Sequence, residues 1–191
     1  MATEFELKYA ATAAQLDGIR AAVPGEYTSI AMETTYYDTP DLKLALHQWT
    51  LRRRLENGMS VCTFKRPLED GSRAEWEVEC GTIMEGIMKL CQSGADWELM
   101  RACASGVIEL CGARFTRQAA MLELPECTVE LALDRGILTG RRGTAPISEV
   151  EVELKSGSEE AAAAFAQELA EQFHLVPEEK SKFVRAMALS L

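Results

Sequence analysis

The chain has 191 residues, of which 47% are hydrophobic and 26% charged, so it is long enough to bury a substantial core. Its formal net charge of -10 argues against a nucleic-acid-binding protein, because nucleic-acid backbones require a net basic surface. A local basic pocket that binds a small anion remains compatible with this charge.

The cysteines and the start of the chain indicate the compartment. The six cysteines have neither CxxC nor Cys-His spacing, which favours reduced and buried thiols over a zinc site. No apolar run approaches the ~20 residues that a membrane span requires. The chain begins directly on a charged strand, which leaves no room for a targeting segment. We therefore expect a single cytoplasmic domain over residues 1–191, with neither nucleic acid nor membrane as a partner.

The first strand, predicted over residues 3–9, alternates charged and apolar side chains. Glu4, Glu6 and Lys8 are two residues apart, and Phe5 and Leu7 lie between them. Successive side chains of a β-strand point to opposite faces. This strand is therefore predicted to have one ionic face and one apolar face.

A helix and a second strand are predicted next. Thr12 and Gln15 form a capping-box pair at the helix start, and Pro24-Gly25 ends the helix. Residues 34–37 are typical of a strand, and residues 38–41, Asp-Thr-Pro-Asp, are typical of a turn.

Three strands in the middle of the chain contribute most of the basic side chains. They are predicted at about residues 50–56, 60–66 and 73–80, from their strict alternation. Their polar faces carry Arg52, Arg54, Thr63, Lys65, Arg73, Glu75, Glu77 and Glu79. Arg53 has the opposite parity and is expected to point outward.

The second half of the chain is predicted to contain a helical region, three strands and two further helices. Helical spacing covers residues 82–105, with an interruption near Ser93-Gly94. The strands are expected at about 114–124, 127–134 and 148–155, with Asp134-Arg135-Gly136 as a turn. Ser158 caps a helix that reaches Phe173, and Pro177 opens a last helix to about Leu189.

The last of these strands repeats the charged pattern, with Glu149, Glu151 and Glu153 on one face. Solvated outer faces of an ordinary sheet would explain any single strand of this kind. Acidic strands at both ends and basic strands between them instead indicate a metal site beside an anion-binding wall. Helices outside a closed barrel would cover the apolar faces. The predicted fold class is therefore α+β, an eight-stranded antiparallel β-barrel with outer helices and a C-terminal helix.

Several segments resemble the motifs of one family. Glu4-Phe5-Glu6-Leu7-Lys8 is similar to an ExExK signature, and residues 36–42, Tyr-Tyr-Asp-Thr-Pro-Asp-Leu, are similar to a second motif. Further elements follow in family order: Arg52/Arg54, Lys65, Arg73/Glu75, Glu130 with residues 134–136, Glu149/Glu151/Glu153, and Ser181-Lys182-x-x-Arg185. On these residues the chain resembles the CYTH domain, or triphosphate tunnel metalloenzyme, superfamily over essentially its whole length. It departs from the usual Arg-Gly-Tyr ending at Arg185-Ala186-Met187.

The resemblance implies a role for each matching residue. Mg²⁺ or Mn²⁺ would be held by carboxylate oxygens of Glu4, Glu6, Glu149, Glu151 and Glu153. Phosphate oxygens would be bound by Lys8, Arg52, Arg54, Lys65, Arg73, Arg117, Lys182 and Arg185. Direct participation in catalysis is expected of Glu4, Glu6, Lys8, Arg54 and Lys65.

Three pairs of residues receive weaker expectations. Of Arg114 and Arg117, only one is expected to point into the site. Glu75 and Glu77 are expected to orient Arg73 by ion pairing. Glu130 and Asp134 share parity and either could order a water at the metal, although Asp134 could equally be a turn residue.

The predicted activity is metal-dependent hydrolysis of inorganic triphosphate to pyrophosphate and phosphate, most like the bacterial inorganic triphosphatases. The only predicted partner is this small anionic substrate, and the protein is expected to be a monomer or a homodimer. The sequence leaves three alternatives open: a class IV-type adenylate cyclase, a thiamine triphosphatase, and a non-catalytic module that binds polyphosphate or nucleotide.

Overall fold

A computed structural model describes residues 5–69 and 73–190 of the chain. The strands are β1 (Glu6–Ala10), β2 (Thr28–Asp38), β3 (Thr50–Glu56), β4 (Met59–Pro67), β5 (Arg73–Glu79), β6 (Ile108–Glu123), β7 (Cys127–Thr139), β8 (Thr144–Gly157) and β9 (Val176–Pro177). The helices are α1 (Ala13–Ala22), α2 (Lys43–Leu46), α3 (Ile83–Gln92), α4 (Trp97–Ala102), α5 (Glu159–Phe173) and α6 (Lys182–Ala188). A short 3₁₀ turn, Cys103–Ser105, follows α4.

All nine strands belong to one antiparallel sheet, in the order β5-β4-β3-β2-β6-β7-β8-β1-β9. The predicted class, an antiparallel sheet with outer helices and a C-terminal helix, is confirmed. Eight strands are 5–16 residues long, and β9 adds two residues to the edge of β1. Among the described residues no ladder joins β5 to the β1–β9 edge, so the hydrogen bonding of the sheet remains open there.

The apolar face of the sheet is covered by two pairs of helices. Helices α1 and α5 pack on β7 and β8, where Val150, Val152 and Leu131 are almost fully buried. Helices α3 and α4 pack on β3 to β5, around Leu51 and Phe64, which are both 0% exposed. Because side chains alternate along each strand, burial of these residues directs the charged side chains to the other face, here called the charged face.

Helix α6 lies on the charged face. Its Ala186 is fully buried in a cluster with Met32, Tyr36 and Phe115, all of which come from that face. The ring of Phe183 also lies against Tyr36, with centroids 4.9 Å apart. The C-terminal helix is therefore held inside the molecule by apolar contacts, in addition to the ion pairs described below.

Local sequence explains most of the helix starts. The predicted capping box at Thr12 is confirmed: its hydroxyl accepts from Gln15 N, and the Gln15 side chain accepts from Thr12 N. The predicted cap at Ser158 is also confirmed, with its Oγ accepting from Ala161 N at 3.2 Å. At the predicted turn 38–41, the buried Asp38 carboxylate accepts from backbone N–H groups at the start of α2.

The strands predicted at 34–37 and at about 114–124 both begin six residues earlier, at Thr28 and Ile108. A predicted turn and a predicted helix start are also wrong. The segment Asp134-Arg135-Gly136 is not a turn, because β7 continues through it to Thr139 and pairs with both β6 and β8. Pro177 does not open the last helix. It lies in β9, and α6 begins at Lys182 after a Ser181 cap whose Oγ accepts from Val184 N.

No helix in the described ranges combines the length and the apolar character needed to cross a membrane.

Candidate active site

Three carboxylates from β7 and β8 meet on the charged face. Asp134 and Glu149 are directly opposite each other in the β7–β8 ladder, and Glu151 is two residues further along β8. Asp134 and Glu149 are 0% exposed and Glu151 is 7% exposed. One oxygen of each lies within 4.8 Å of one oxygen of the other two. We call these residues the acidic triad.

Three basic side chains neutralise the acidic triad. Arg117 of β6 donates two 2.8 Å hydrogen bonds to Asp134 and also pairs with Glu151. Lys182 Nζ lies 2.8 Å from Asp134 Oδ2 and 2.7 Å from Glu151 Oε1, and it also contacts Glu149. The third cation, Arg185, pairs with Glu149 and reaches Glu178 at 3.5 Å. Helix α6 is thus anchored to the sheet through its two basic residues.

Ionisation of this cluster follows from its neighbours. Burial by itself opposes the charge of Glu151, but Lys182 and Arg117 outweigh it and hold the Glu151 pKa well below its usual range. Burial likewise opposes the charge of Lys182, yet Glu151 and Asp134 raise the Lys182 pKa above its ordinary value. Both groups are therefore charged at neutral pH.

A row of basic side chains continues from the acidic triad across the charged face. We call this row the basic wall; its members are Arg117 on β6, Arg52 and Arg54 on β3, Lys65 on β4 and Arg73 on β5. Arg54 donates to Thr34 Oγ1 at 3.2 Å and lies 3.4 Å from Glu56. Burial, followed by the nearby charges of Arg52 and Arg117, lowers the Arg54 pKa from its ordinary value. Arg52 Nε is buried, and no described group accepts a hydrogen bond from it. Such a concentration of positive charge favours the binding of an anion.

Lys65 and Arg73 lie at the other end of the basic wall. Lys65 Nζ is 2.9 Å from Glu75 Oε2, and Arg52 Nη2 is 3.8 Å from the other Glu75 oxygen. Arg73 is exposed and donates to Gln48 O and to Thr50 Oγ1. The expectation that Glu75 and Glu77 orient Arg73 is wrong. Glu75 binds Lys65 and Arg52 instead, and Glu77 accepts from the Thr63 hydroxyl at 3.1 Å.

A second group of carboxylates lies beside the acidic triad. Glu6, Glu153 and Glu130 are directly opposite one another on β1, β8 and β7. They are more exposed than the acidic triad, and Glu153 pairs with Lys155 at 2.8 Å. Lys8 faces Glu151 in the same ladder.

The remaining predicted residues are placed as follows. Glu4 lies outside the described residues. Arg117 is the inward member of its pair, whereas Arg114 is exposed on the opposite face and binds Glu33 at 3.0 Å. Arg53 points away from the charged face, as expected from its parity, and donates to Ser60 Oγ.

Asp134 is central to the site, but its local sequence did not indicate this role. Its Asp-Arg-Gly context is typical of a turn, which hid a fully buried carboxylate that binds both Arg117 and Lys182. Two signals could have identified it: the parity that Asp134 shares with Glu130 on β7, and the match of residues 134–136 to the order of the family's elements.

The acidic triad has the donor set of a site for a hard divalent cation. Mg²⁺ and Mn²⁺ prefer carboxylate oxygens. Glu149 Oε1 is buried and contacts the Lys182 ammonium. The described cysteines are all buried, and burial raises the pKa of the Cys111 thiol to about 12, which disfavours a thiolate site.

Part of the chain is similar in sequence to a curated protein. An inorganic triphosphatase from Haemophilus influenzae is 27% identical over 135 residues, which are 70% of this chain but 38% of that protein. The chain therefore spans well under half the length of this curated relative.

Solved structures share the fold. A candidate adenylyl cyclase from Hippeastrum, described as having a dominant triphosphatase activity, superposes with a TM-score of 0.69 at 19% identity, covering 100% of this chain and 97% of that one. A Pyrococcus horikoshii protein gives 0.59 at 22% identity, with 94% and 96% coverage. A candidate adenylate cyclase from Bacillus halodurans gives 0.56 at 20% identity, with 94% and 95% coverage. The model of the CYTH domain matches residues 2–187, and the chain belongs to the CYTH domain family.

Proposed function

We propose that this protein hydrolyses inorganic triphosphate to pyrophosphate and phosphate with the help of Mg²⁺ or Mn²⁺. The observation that carries the proposal is the juxtaposition of the acidic triad with the half-buried arginines of the basic wall on one face of the sheet. A cation site beside an anion site is what a metal-bound polyphosphate requires. The triphosphatase descriptions of the Haemophilus influenzae and Hippeastrum proteins support the same interpretation.

The basic residues would hold the phosphate chain. Arg52 and Arg54 are adjacent on the charged face and can bind phosphate oxygens in bidentate fashion, with Lys65 as a point charge beside them. Arg117, Lys182 and Lys8 lie at the border with the acidic triad, where they would contact the phosphate nearest the metal. Arg73 at the exposed end and Arg185 on α6 are assigned outer positions.

The acidic residues would hold the metal. Asp134, Glu149 and Glu151 offer converging oxygens, and Glu4, Glu6 and Glu153 are assigned to the same site from the strand pairing or the family motif. Bound there, the metal would neutralise phosphate charge as it develops on the leaving group. The protein's own contribution is to fix the phosphates in line with an attacking water and to supply positive charge, and no covalent intermediate is needed.

Phosphate release tests this proposal. Inorganic triphosphate, ATP, thiamine triphosphate and pyrophosphate would be incubated with the protein in Mg²⁺, in Mn²⁺ and in EDTA. We expect metal-dependent release that favours inorganic triphosphate and is lost in EDTA. Arg54→Ala should lower the rate at least about 100-fold, as expected when one charge-stabilising donor is removed.

Arg53→Ala is the matched control, because it removes the same charge from the neighbouring residue on the opposite face. Its rate should stay close to that of the unchanged protein. Equal losses in the two variants, or release that persists in EDTA, would contradict the proposed site. Cyclic AMP formed from ATP would identify a cyclase, and preference for thiamine triphosphate would identify a thiamine triphosphatase. Binding of triphosphate without hydrolysis would identify a non-catalytic module.

A further inference from the structure

Lys182 occupies the centre of the acidic triad. Its ammonium lies 2.7–2.8 Å from Glu151 and Asp134 and also contacts Glu149, and the residue is 8% exposed. A carboxylate cluster arranged in this way is what a divalent cation would bind. The cation present is instead a side chain of the protein.

Packing of α6 fixes the ammonium in this position. Ala186 is buried among residues of the charged face, and Phe183 lies against Tyr36. The ammonium is also 4.9 Å from the ring centroid of Phe115. Lys182 therefore reaches the acidic triad from a docked helix, and it can leave only if its side chain or the helix shifts.

Of the three cations that neutralise the acidic triad, Lys182 contacts all three carboxylates, whereas Arg117 contacts Asp134 and Glu151 and Arg185 contacts Glu149. Lys182 carries a single positive charge and contacts Glu149 Oε1 directly. A divalent ion would supply twice the charge and could bind this oxygen directly. Metal and ammonium cannot occupy the same space among the three carboxylates.

We propose that Lys182 holds the metal position before the metal arrives, and that metal binding displaces its ammonium toward the substrate phosphate. This inference rests on the proposed metal dependence of the site. The displaced ammonium loses its contacts with three carboxylates, so it needs another anion as a partner. A bound phosphate would supply that anion, because the basic wall that is predicted to bind phosphate begins at the adjacent Arg117. In the absence of triphosphate, the metal must compete with the Lys182 ammonium for the three carboxylates. When triphosphate is bound as well, the displaced ammonium can pair with a phosphate.

Mn²⁺ binding without any phosphate tests the competition directly. Free Mn²⁺ would be measured by electron paramagnetic resonance in titrations of the unchanged protein, of Lys182→Met and of Lys180→Met. Because closely apposed charges couple strongly, Lys182→Met should bind Mn²⁺ about tenfold more tightly. Lys180 is exposed and only two residues away, and the described contacts include no ion pair of its side chain, so Lys180→Met should bind Mn²⁺ like the unchanged protein.

A second measurement uses the unchanged protein and needs no variant to fold. Lys182 would be acetylated with an amine-reactive reagent, and its modification measured by mass spectrometry with and without Mn²⁺. Displacement predicts a several-fold increase at Lys182 when Mn²⁺ is present, with no change at Lys180. Equal modification at saturating Mn²⁺ overturns the inference.

The outcomes separate this inference from the proposed function. If the unchanged protein binds no Mn²⁺ even with triphosphate, the metal dependence itself fails and the inference fails with it. If the unchanged protein binds Mn²⁺ but Lys182→Met binds it no more tightly, only the role assigned to Lys182 is overturned.

Discussion

Replacing Asp134 with asparagine should destabilise the metal-free protein strongly. The carboxylate is 0% exposed, accepts two 2.8 Å hydrogen bonds from Arg117, and lies 2.8 Å from the Lys182 ammonium. Asparagine keeps the shape but removes the charge, which leaves three cations facing Glu149 and Glu151. Removing one partner of a buried ion pair costs about 3–5 kcal/mol. We take the lower end, about 3 kcal/mol, because Arg117 and Lys182 retain Glu151 as a partner.

Thermal unfolding in EDTA measures the effect. For a chain of this length each kcal/mol lowers the Tm by about 2–4 °C, so Asp134→Asn should melt about 6–12 °C lower. Asp17→Asn is the control. It removes a carboxylate that is 72% exposed and binds Arg135 at 2.9 Å on the surface, a pair worth at most about 1 kcal/mol. If the Tm of Asp134→Asn fell no further than that of Asp17→Asn, the acidic triad would not stabilise the fold as argued.

Three further predictions concern the fold. A Cβ at Gly136 would lie 2.2–2.5 Å from atoms of the neighbouring strand, so Gly136→Ala should cost about 1–3 kcal/mol in urea unfolding. Gly143→Ala, where no atom lies within 4 Å, should be nearly neutral, and equal stabilities would refute the strand at residue 136. Ser158→Ala removes the cap of α5 and should cost about 1 kcal/mol in the same assay, whereas no change would mean that the cap is dispensable. Burial raises the pKa values of Cys103 and Cys111 to about 12, so at pH 8 only about one thiol in ten thousand is ionised. Both should resist iodoacetamide until the protein is unfolded, and rapid native alkylation would contradict their burial.

Alternation along the strands allowed much of the fold to be predicted from the sequence. Apolar residues such as Val150 and Val152 alternate with Glu149 and Glu151, so the residue pattern alone assigns the two faces of β8. Helix caps could also be predicted from the sequence, because the side-chain hydroxyl and the backbone N–H from which it accepts a hydrogen bond are only three residues apart. The outward direction of Arg53 followed from parity alone.

Contacts between distant segments could not be read in this way. Lys182 meets Asp134 from 48 positions further along the chain, and only the docking of α6 brings the two together. Residue types also misled where tertiary packing overrode them. Gly136 resembled a turn residue, but it is required where β7 approaches the backbone of β6 too closely for any side chain. Pro177 resembled the first residue of a helix, but it lies on the short edge strand β9, where proline is tolerated.

The location of bound metal and phosphate tests the central claim most directly. Crystals grown with Mn²⁺ and a non-hydrolysable triphosphate analogue would be measured at the manganese absorption edge. The proposed site predicts an anomalous peak that marks a manganese ion bound by Glu151 and its acidic neighbours. It also predicts that the phosphates of the analogue contact Arg52 and Arg54 and that the Lys182 ammonium points toward these phosphates. Manganese and analogue bound elsewhere on the protein, with the acidic triad still filled by Lys182, would contradict the assignment of this face as the active site.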